Sequence, residues 1–238
     1  MPVAPAQAIT GGTSVTDNSQ FPYMVAVLLP RIMCGGALVD LEHVVTSAAC
    51  VDGLFPSQVT VHAGSNRYYT GGVTAKVATI SVHPNYNKHT YDSDIAVLTL
   101  SSALTAGPSI APIPIPAADS GYPAADTLGV ITGFGAVDSA YTLSDYLQQA
   151  HIVTYSLPAC LTMKPELTSN MMCAGDPESV KDACPDDSGS PLAVEGVLVG
   201  VYSLGSSCGL DAPNPSSPLF TRVSNFTTWI TTRIADSP

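Results

Sequence analysis

The sequence predicts an all-β protein built in two halves. Three observations carry the prediction: short β-prone runs set between turn residues, an almost complete lack of helical periodicity, and a Pro-rich stretch midway. The first set of runs covers Phe21 to Leu29, Ala37 to Val45, Gln58 to His62, Val73 to Val82 and Ile95 to Leu100. The second covers Thr127 to Thr132, Leu147 to Tyr155, Leu192 to Tyr202 and Pro218 to Val223. All are rich in Val, Ile, Thr or aromatic residues, whose side chains suit a pleated surface. Between the sets, Ala103 to Pro123 carries Pro108, Pro112, Pro114, Pro116 and Pro123. That spacing forbids a helix and predicts an extended crossing segment. One helix is expected near the end, at about 225–235. Ser224 is placed to cap it, and Phe226, Trp229, Ile230 and Ile234 share one face, which is expected to dock on the second half.

Composition narrows the class. Lys and Arg total 8 against 19 Asp and Glu, a formal net charge of −11, so the basic footprint that nucleic acid requires is absent. Apolar residues make up 45% and charged ones 11%, which argues for a well-cored domain and against a solvated disordered chain. The longest apolar runs, such as Met24 to Leu29, fall far short of the ~20 residues of a membrane-spanning helix. A chain of 238 residues buries about 70% of its extended surface and needs no staple to fold.

Six cysteines lie at Cys34, Cys50, Cys160, Cys173, Cys184 and Cys208, without the two-residue gaps of zinc or redox motifs. An even count with little Lys fits three disulfides in an oxidising, extracellular compartment, with 15 pairings open at this point. Met1 to Ala8 lack the basic start and apolar stretch of a signal peptide and read as a short leader. Asn225-Phe226-Thr227 has the form of a glycosylation acceptor. Neither a metal nor a cofactor is expected, since His, Asp and Glu do not cluster at ligand spacing.

Four segments make the sequence specific: Ile9-Thr10-Gly11-Gly12, Thr46-Ser47-Ala48-Ala49-Cys50, Asp94-Ile95-Ala96-Val97-Leu98, and Cys184-Pro185-Asp186-Asp187-Ser188-Gly189-Ser190-Pro191. In this order, with His83-Pro84, Gly133-Phe134-Gly135 and Ser203-Leu204-Gly205 also in place, the chain resembles the trypsin-like serine peptidases from Ile9 to the final helix. The resemblance implies two antiparallel six-stranded β-barrels of the chymotrypsin type. They would lie at about 20–102 and 124–223, within one peptidase domain over 9–238 that follows the leader 1–8. It also implies three disulfides, Cys34 with Cys50, Cys160 with Cys173 and Cys184 with Cys208, each worth about 3 kcal/mol in the chain-entropy model.

Residue by residue, Ser188 falls on the nucleophile and Asp94 on the carboxylate that orients the imidazole. The imidazole itself belongs immediately before Cys50, where this chain has Ala49. A serine hydroxyl is a poor nucleophile until a base takes its proton, and a methyl group cannot do so. The remaining histidines, His43, His62, His83, His89 and His151, are expected elsewhere, at the surface or half-buried. The oxyanion hole would use the N–H groups of Ser188 and of the residue two before it. That position holds Asp186 in place of the family glycine, so a carboxylate would oppose the developing negative charge.

In the specificity pocket, Asp182 matches a carboxylate that would select Arg or Lys, with Ser203 and Gly205 on its walls. Pro218 falls where a pocket-lining glycine is usual and would narrow the pocket, and Leu204 replaces the usual aromatic. Activation in the family pairs a freed ammonium at the Ile9 position with the carboxylate of Asp187. With Ala8 preceding Ile9, the site is expected to be zymogen-like, with Asp187 solvated or paired with another group. The chain therefore reads as a secreted, monomeric serine protease homologue that acts by binding a protein partner, as a decoy or as an inhibitor of another enzyme. The alternative is an active trypsin-like endopeptidase, acting on peptide substrates, whose histidine has been replaced at Ala49 by an introduced mutation.

Overall fold

Thirteen strands, β1 to β13, and three short α-helices follow one another in a computed structural model that describes residues 9, 12–121, 123–135, 144–176, 187–205 and 218–237. The first barrel closes on itself in the order β2-β3-β4-β7-β6-β5, every pairing antiparallel. Its strands are β2 (Met24–Leu28), β3 (Met33–Leu38), β4 (His43–Thr46), β5 (Thr60–Ala63), β6 (Val73–Val82) and β7 (Ala96–Leu100). Closure leaves no free edge, and the inward side chains of Val25, Val27, Leu38, Val44, Val61 and Leu98 fill the interior.

The second barrel is equally closed, in the order β8-β9-β10-β13-β12-β11 and back to β8. Its strands are β8 (Leu128–Gly133), β9 (Gln148–Thr154), β10 (Met171–Gly175), β11 (Pro191–Val194), β12 (Val197–Leu204) and β13 (Leu219–Arg222). The two-residue β1 (Thr13–Ser14) is added outside β9. Tyr202 and Phe220 meet edge to face at 5.6 Å in its core, beside a fully buried Ile9. The predicted double barrel is thus present.

Two predicted runs each prove to be two strands. Ala37 to Val45 contains a turn, because Asp40 accepts the N–H groups of Glu42 and His43 and folds the chain back between β3 and β4. Leu192 to Tyr202 turns at Glu195 and Gly196, whose φ values of 51° and 75° are those of a two-residue hairpin matched to the strand twist. The Pro-rich segment runs extended, as expected, and stitches the barrels together. Ile113 N–H donates to Leu38 O of barrel one at 2.8 Å, and Leu198 N–H of barrel two donates to Pro114 O at 2.9 Å.

The final helix needs two corrections. It spans Thr227–Ala235 and is the third helix, α3. Ser224 does not cap it; it sits in a preceding 3-10 turn, Val223–Asn225, and its hydroxyl donates to Gly121 O. Nor does its apolar stripe rest on the second half alone. Phe226 and Trp229 each pack edge to face on His83 of barrel one at 4.9 Å, and Phe226 and Ile230 join that barrel's core. The other two helices, α1 (Ala48–Val51) and α2 (Leu157–Met163), are single turns or little more. No helix among the described residues is long and apolar enough to cross a membrane.

Two of the implied disulfides are formed, Cys34–Cys50 and Cys160–Cys173. Cys184 and Cys208 lie outside the described residues.

Candidate active site

The site is assembled where β4 runs into α1. Ser47 ends the strand in an extended conformation and caps the helix, its Oγ accepting the Ala49 N–H at 3.1 Å. The same hydroxyl donates to both oxygens of Asp94, at 2.7 and 2.8 Å. Asp94 enters β7 from Ser93, a non-glycine residue held at φ 56°. Its carboxylate also accepts the Ala49 N–H at 2.8 Å and the Ser203 Oγ–H at 2.5 Å, while Thr221 Oγ1 donates to its main-chain carbonyl at 2.7 Å.

Asp94 is fully buried, and burial pushes its carboxyl above the usual range. The hydrogen bonds from Ser203, Ala49, Ser47 and Ala48 oppose that rise by favouring the ionised form. Tyr86 responds to the same charge: burial raises its phenol strongly, and the carboxylates of Asp94 and Asp52 raise it further. Tyr86 and Asp52 line a cleft of about 680 Å³ together with His83, Asn85 and Lys88.

Ser188 sits on a tight turn leading into β11, fastened on both sides. Its carbonyl accepts the Gly35 N–H of barrel one at 2.8 Å and lies 3.6 Å from Cys50 Sγ. The next residue, Gly189, donates to Tyr202 O of barrel two at 2.8 Å. Gly189 has φ 84°, and a Cβ there would stand 2.3 Å from both Gly35 O and Thr46 Oγ1, so only glycine permits this turn. The Cys34–Cys50 bridge therefore ties α1 to β3, and β3 in turn holds Ser188 beside α1.

Ala49 is exposed on α1; its N–H bonds the carboxylate of Asp94, and its neighbour Cys50 lies against the Ser188 carbonyl. The arrangement holds the Asp94 carboxylate firmly, with the methyl side chain of Ala49 exposed beside it. Of the five histidines, His83 lines the cleft with Tyr86 and Asp52, and His43 and His62 are buried in barrel one, contrary to the expectation of surface or half-buried positions. His43 bonds Asp40 and Ser237, His62 Nε2 reaches Gly71 O at 2.7 Å, and His83 is sandwiched by the α3 aromatics. His89 and His151 are exposed, on the loop before Asp94 and on β9.

Asp187 is not solvated. It is fully buried, with Oδ1 accepting the Gly135 N–H at 2.9 Å, so of the two outcomes expected for it the second holds. Ile9 is buried in the second barrel at φ 56°, a left-handed conformation costly for a β-branched residue. Ser203 directs its hydroxyl to Asp94. Pro218 is buried beside Gly175 and Tyr155, and Gly205 is half-buried at the end of β12. Asp182 and Asp186 lie outside the described residues. The sequence reading missed Ser47 and Tyr86 as members of the site; the position of Ser47 just before a short helix was the available signal for the first.

Two closed antiparallel barrels, with a serine turn and a buried aspartate held between them, define the class: a chymotrypsin-fold serine peptidase scaffold. Sequence comparison agrees. The trypsin family profile matches residues 9–230, and the chain belongs to that family. It is similar to Trypsin Blo t 3 of Blomia tropicalis, with 34% identity over 229 residues, covering 93% of this chain and 84% of that protein. Trypsin alpha of Drosophila erecta is 35% identical over 206 residues, covering 84% and 78%. Brachyurin of Leptuca pugilator is 33% identical over 233 residues, covering 97% and 100%.

Proposed function

We propose that this chain is a secreted serine peptidase homologue without turnover, acting by binding a protein as a decoy or as an inhibitor of another enzyme. One observation carries the reading: the residue whose N–H bonds the buried carboxylate of Asp94, one before the Cys50 that lies against the Ser188 carbonyl, is Ala49 and bears no base. Loss of one triad member typically removes nearly all of the triad's contribution, a factor of about a million in turnover. Asp186, two residues before Ser188, adds a carboxylate where acyl transfer develops negative charge, an effect expected to be no milder than the ~3 kcal/mol of a lost donor. Function then rests on loops that two rigid barrels hold in place. The test is turnover of Arg and Lys amide substrates by the chain starting at Ile9. We expect none above the uncatalysed rate, and measurable hydrolysis would overturn the reading.

A second reading is favoured by how intact the rest of the site is. Asp94 keeps its three side-chain and backbone donors, Ser188 its anchored turn, and Ile9 and Asp187 their buried positions. On this reading the protein is an endopeptidase acting on peptide substrates, silenced by the single replacement at Ala49. Ala49→His separates the two: recovery of hydrolysis identifies a peptidase, and continued silence identifies a site decayed beyond its histidine.

A further inference from the structure

A second aspartate–histidine–serine array lies at the other end of β4 from Ala49. Asp40, in the β3–β4 turn, is fixed by the N–H groups of Glu42 and His43, both at 2.7 Å from its Oδ1. Its carboxylate oxygens stand 2.9 and 2.8 Å from His43 Nδ1. A carboxylate only accepts, so Nδ1 carries a proton, and in the neutral ring Nε2 is left as a bare acceptor. Nε2 in turn lies 2.8 Å from Ser237 Oγ, just past the end of α3. The order of groups, the nitrogen facing each partner and the distances are those of a serine nucleophile with its base and orienting acid, a constellation recognised by geometry and not by sequence position. His43 is buried, whereas Asp40 and Ser237 are partly exposed, so the array lies at the surface with its base shielded.

We propose that Ser237 is a reactive serine, a covalent acceptor for an activated phosphonyl or acyl group, with His43 as its base and Asp40 as the residue that positions His43. With a fluorophosphonate donor, Ser237 Oγ attacks phosphorus, the O–P bond forms, and the P–F bond breaks with loss of fluoride. The hydroxyl proton passes to His43 Nε2, leaving an imidazolium paired with Asp40. The surroundings favour a single modification over turnover. Ser237 Oγ can also donate to Arg233 O at 3.0 Å, so this carbonyl competes with His43 Nε2 for the single hydroxyl proton, and the carbonyls that end α3 oppose an oxyanion. Thr99 Oγ1 at 3.2 Å is a hydroxyl that can donate in its place, and Arg233 Nε is a buried donor without a partner.

The test uses the full chain carrying Ser188→Ala, which removes the cleft serine. The chain is exposed to an alkyl fluorophosphonate and the adduct is mapped by peptide mass spectrometry. We expect the label on Ser237, and its loss in Ser237→Ala. His43→Gln keeps a side chain able to bond both Asp40 and Ser237 but removes the base. It should slow labelling by about 100-fold or more, as loss of general-base help does, while the melting temperature stays close to that of the parent. Asp40→Asn should slow labelling and Asp40→Glu partly restore it, a pattern that a merely structural carboxylate would not give. Absence of label on Ser237, or Ser237 labelling at an unchanged rate in His43→Gln, overturns the proposal. Neither outcome bears on turnover in the cleft.

Discussion

Gly135 has no room for a methyl group. A Cβ built there would stand 2.4 Å from Asp187 Cγ and 2.5 and 2.6 Å from the two carboxylate oxygens, well inside any real contact. Gly135→Ala therefore forces the buried carboxylate, or the strand end carrying Gly135, to move. Either movement breaks the 2.9 Å bond from Gly135 N–H to Asp187 Oδ1. Overpacking of a core costs about 1–3 kcal/mol, and a hydrogen bond to a charged group about 1.5–3 kcal/mol. Together these give about 2.5–6 kcal/mol, and at roughly 2–4 °C per kcal/mol for a chain of this size the melting temperature should fall by about 5–24 °C. Differential scanning calorimetry reads the change directly. The double variant Gly135→Ala/Asp187→Ala removes the obstacle, so its loss should be smaller than the sum of the single losses by at least about 1 kcal/mol. A Gly135→Ala protein melting within about 2 °C of the parent, or strictly additive losses, would refute the packing argument. The consequence reaches the site, because Asp187 directly precedes Ser188 and its displacement shifts the serine turn.

Three further outcomes follow from the same geometry. Replacing both Cys34 and Cys50 by Ala opens a loop of sequence separation 16 and should cost about 3 kcal/mol in thermal melts; an unchanged melting temperature would count against a stabilising bridge. Asp94→Asn removes a carboxyl whose proton is held more tightly in the folded state than its ordinary value of 3.8. A raised value favours the fold below pH 3.8, and that advantage is lost as pH rises through the folded value, so the stability of Asp94→Asn relative to the parent should grow as pH climbs above 3.8. Urea melts across pH test this, and a pH-independent difference would refute it. Phe220→Ala empties a fully buried position against Tyr202 and should lose about 3–5 kcal/mol.

The elements legible in the sequence were those whose signal is local. β6 appears over Val73–Val82, the run the residues predict, because Val and Thr at its start, Val77, and Thr79, Ile80 and Val82 at its end are β-formers bounded by clear turn residues. Hairpins hid their turns when the turn was short: Glu195-Gly196 lacks the Asn or Asp that usually marks one, and apolar residues continue on both sides. β10, Met171–Gly175, was invisible because Met, Ala and Gly are weak strand formers; its burial between β9 and β13 decides its state. α1 and α2 are too short to show a period. Short motifs single out Asp94, Ala49 and Ser188 as candidates, and the structure shows Asp94 buried and bonded to the Ala49 N–H. The role of Ser203 was not legible, because its hydroxyl meets a carboxylate 109 residues away and only the closing of both barrels sets that direction.

The donors around Asp94 also explain how its carboxylate is held without a partner from the side chain at position 49. The carboxylate is held by the hydroxyls of Ser47 and Ser203 and by the N–H of Ala49. All three belong to the fold's own framework: a helix cap, a barrel strand and a backbone. An imidazole at position 49 would add a further partner, but its absence leaves no carboxylate oxygen unpaired, and so carries no large penalty of an orphaned buried charge. The Ser188 turn is fixed independently through Gly35 and Tyr202. The holding of Asp94 and of the Ser188 turn is thus separable from the identity of the side chain at position 49.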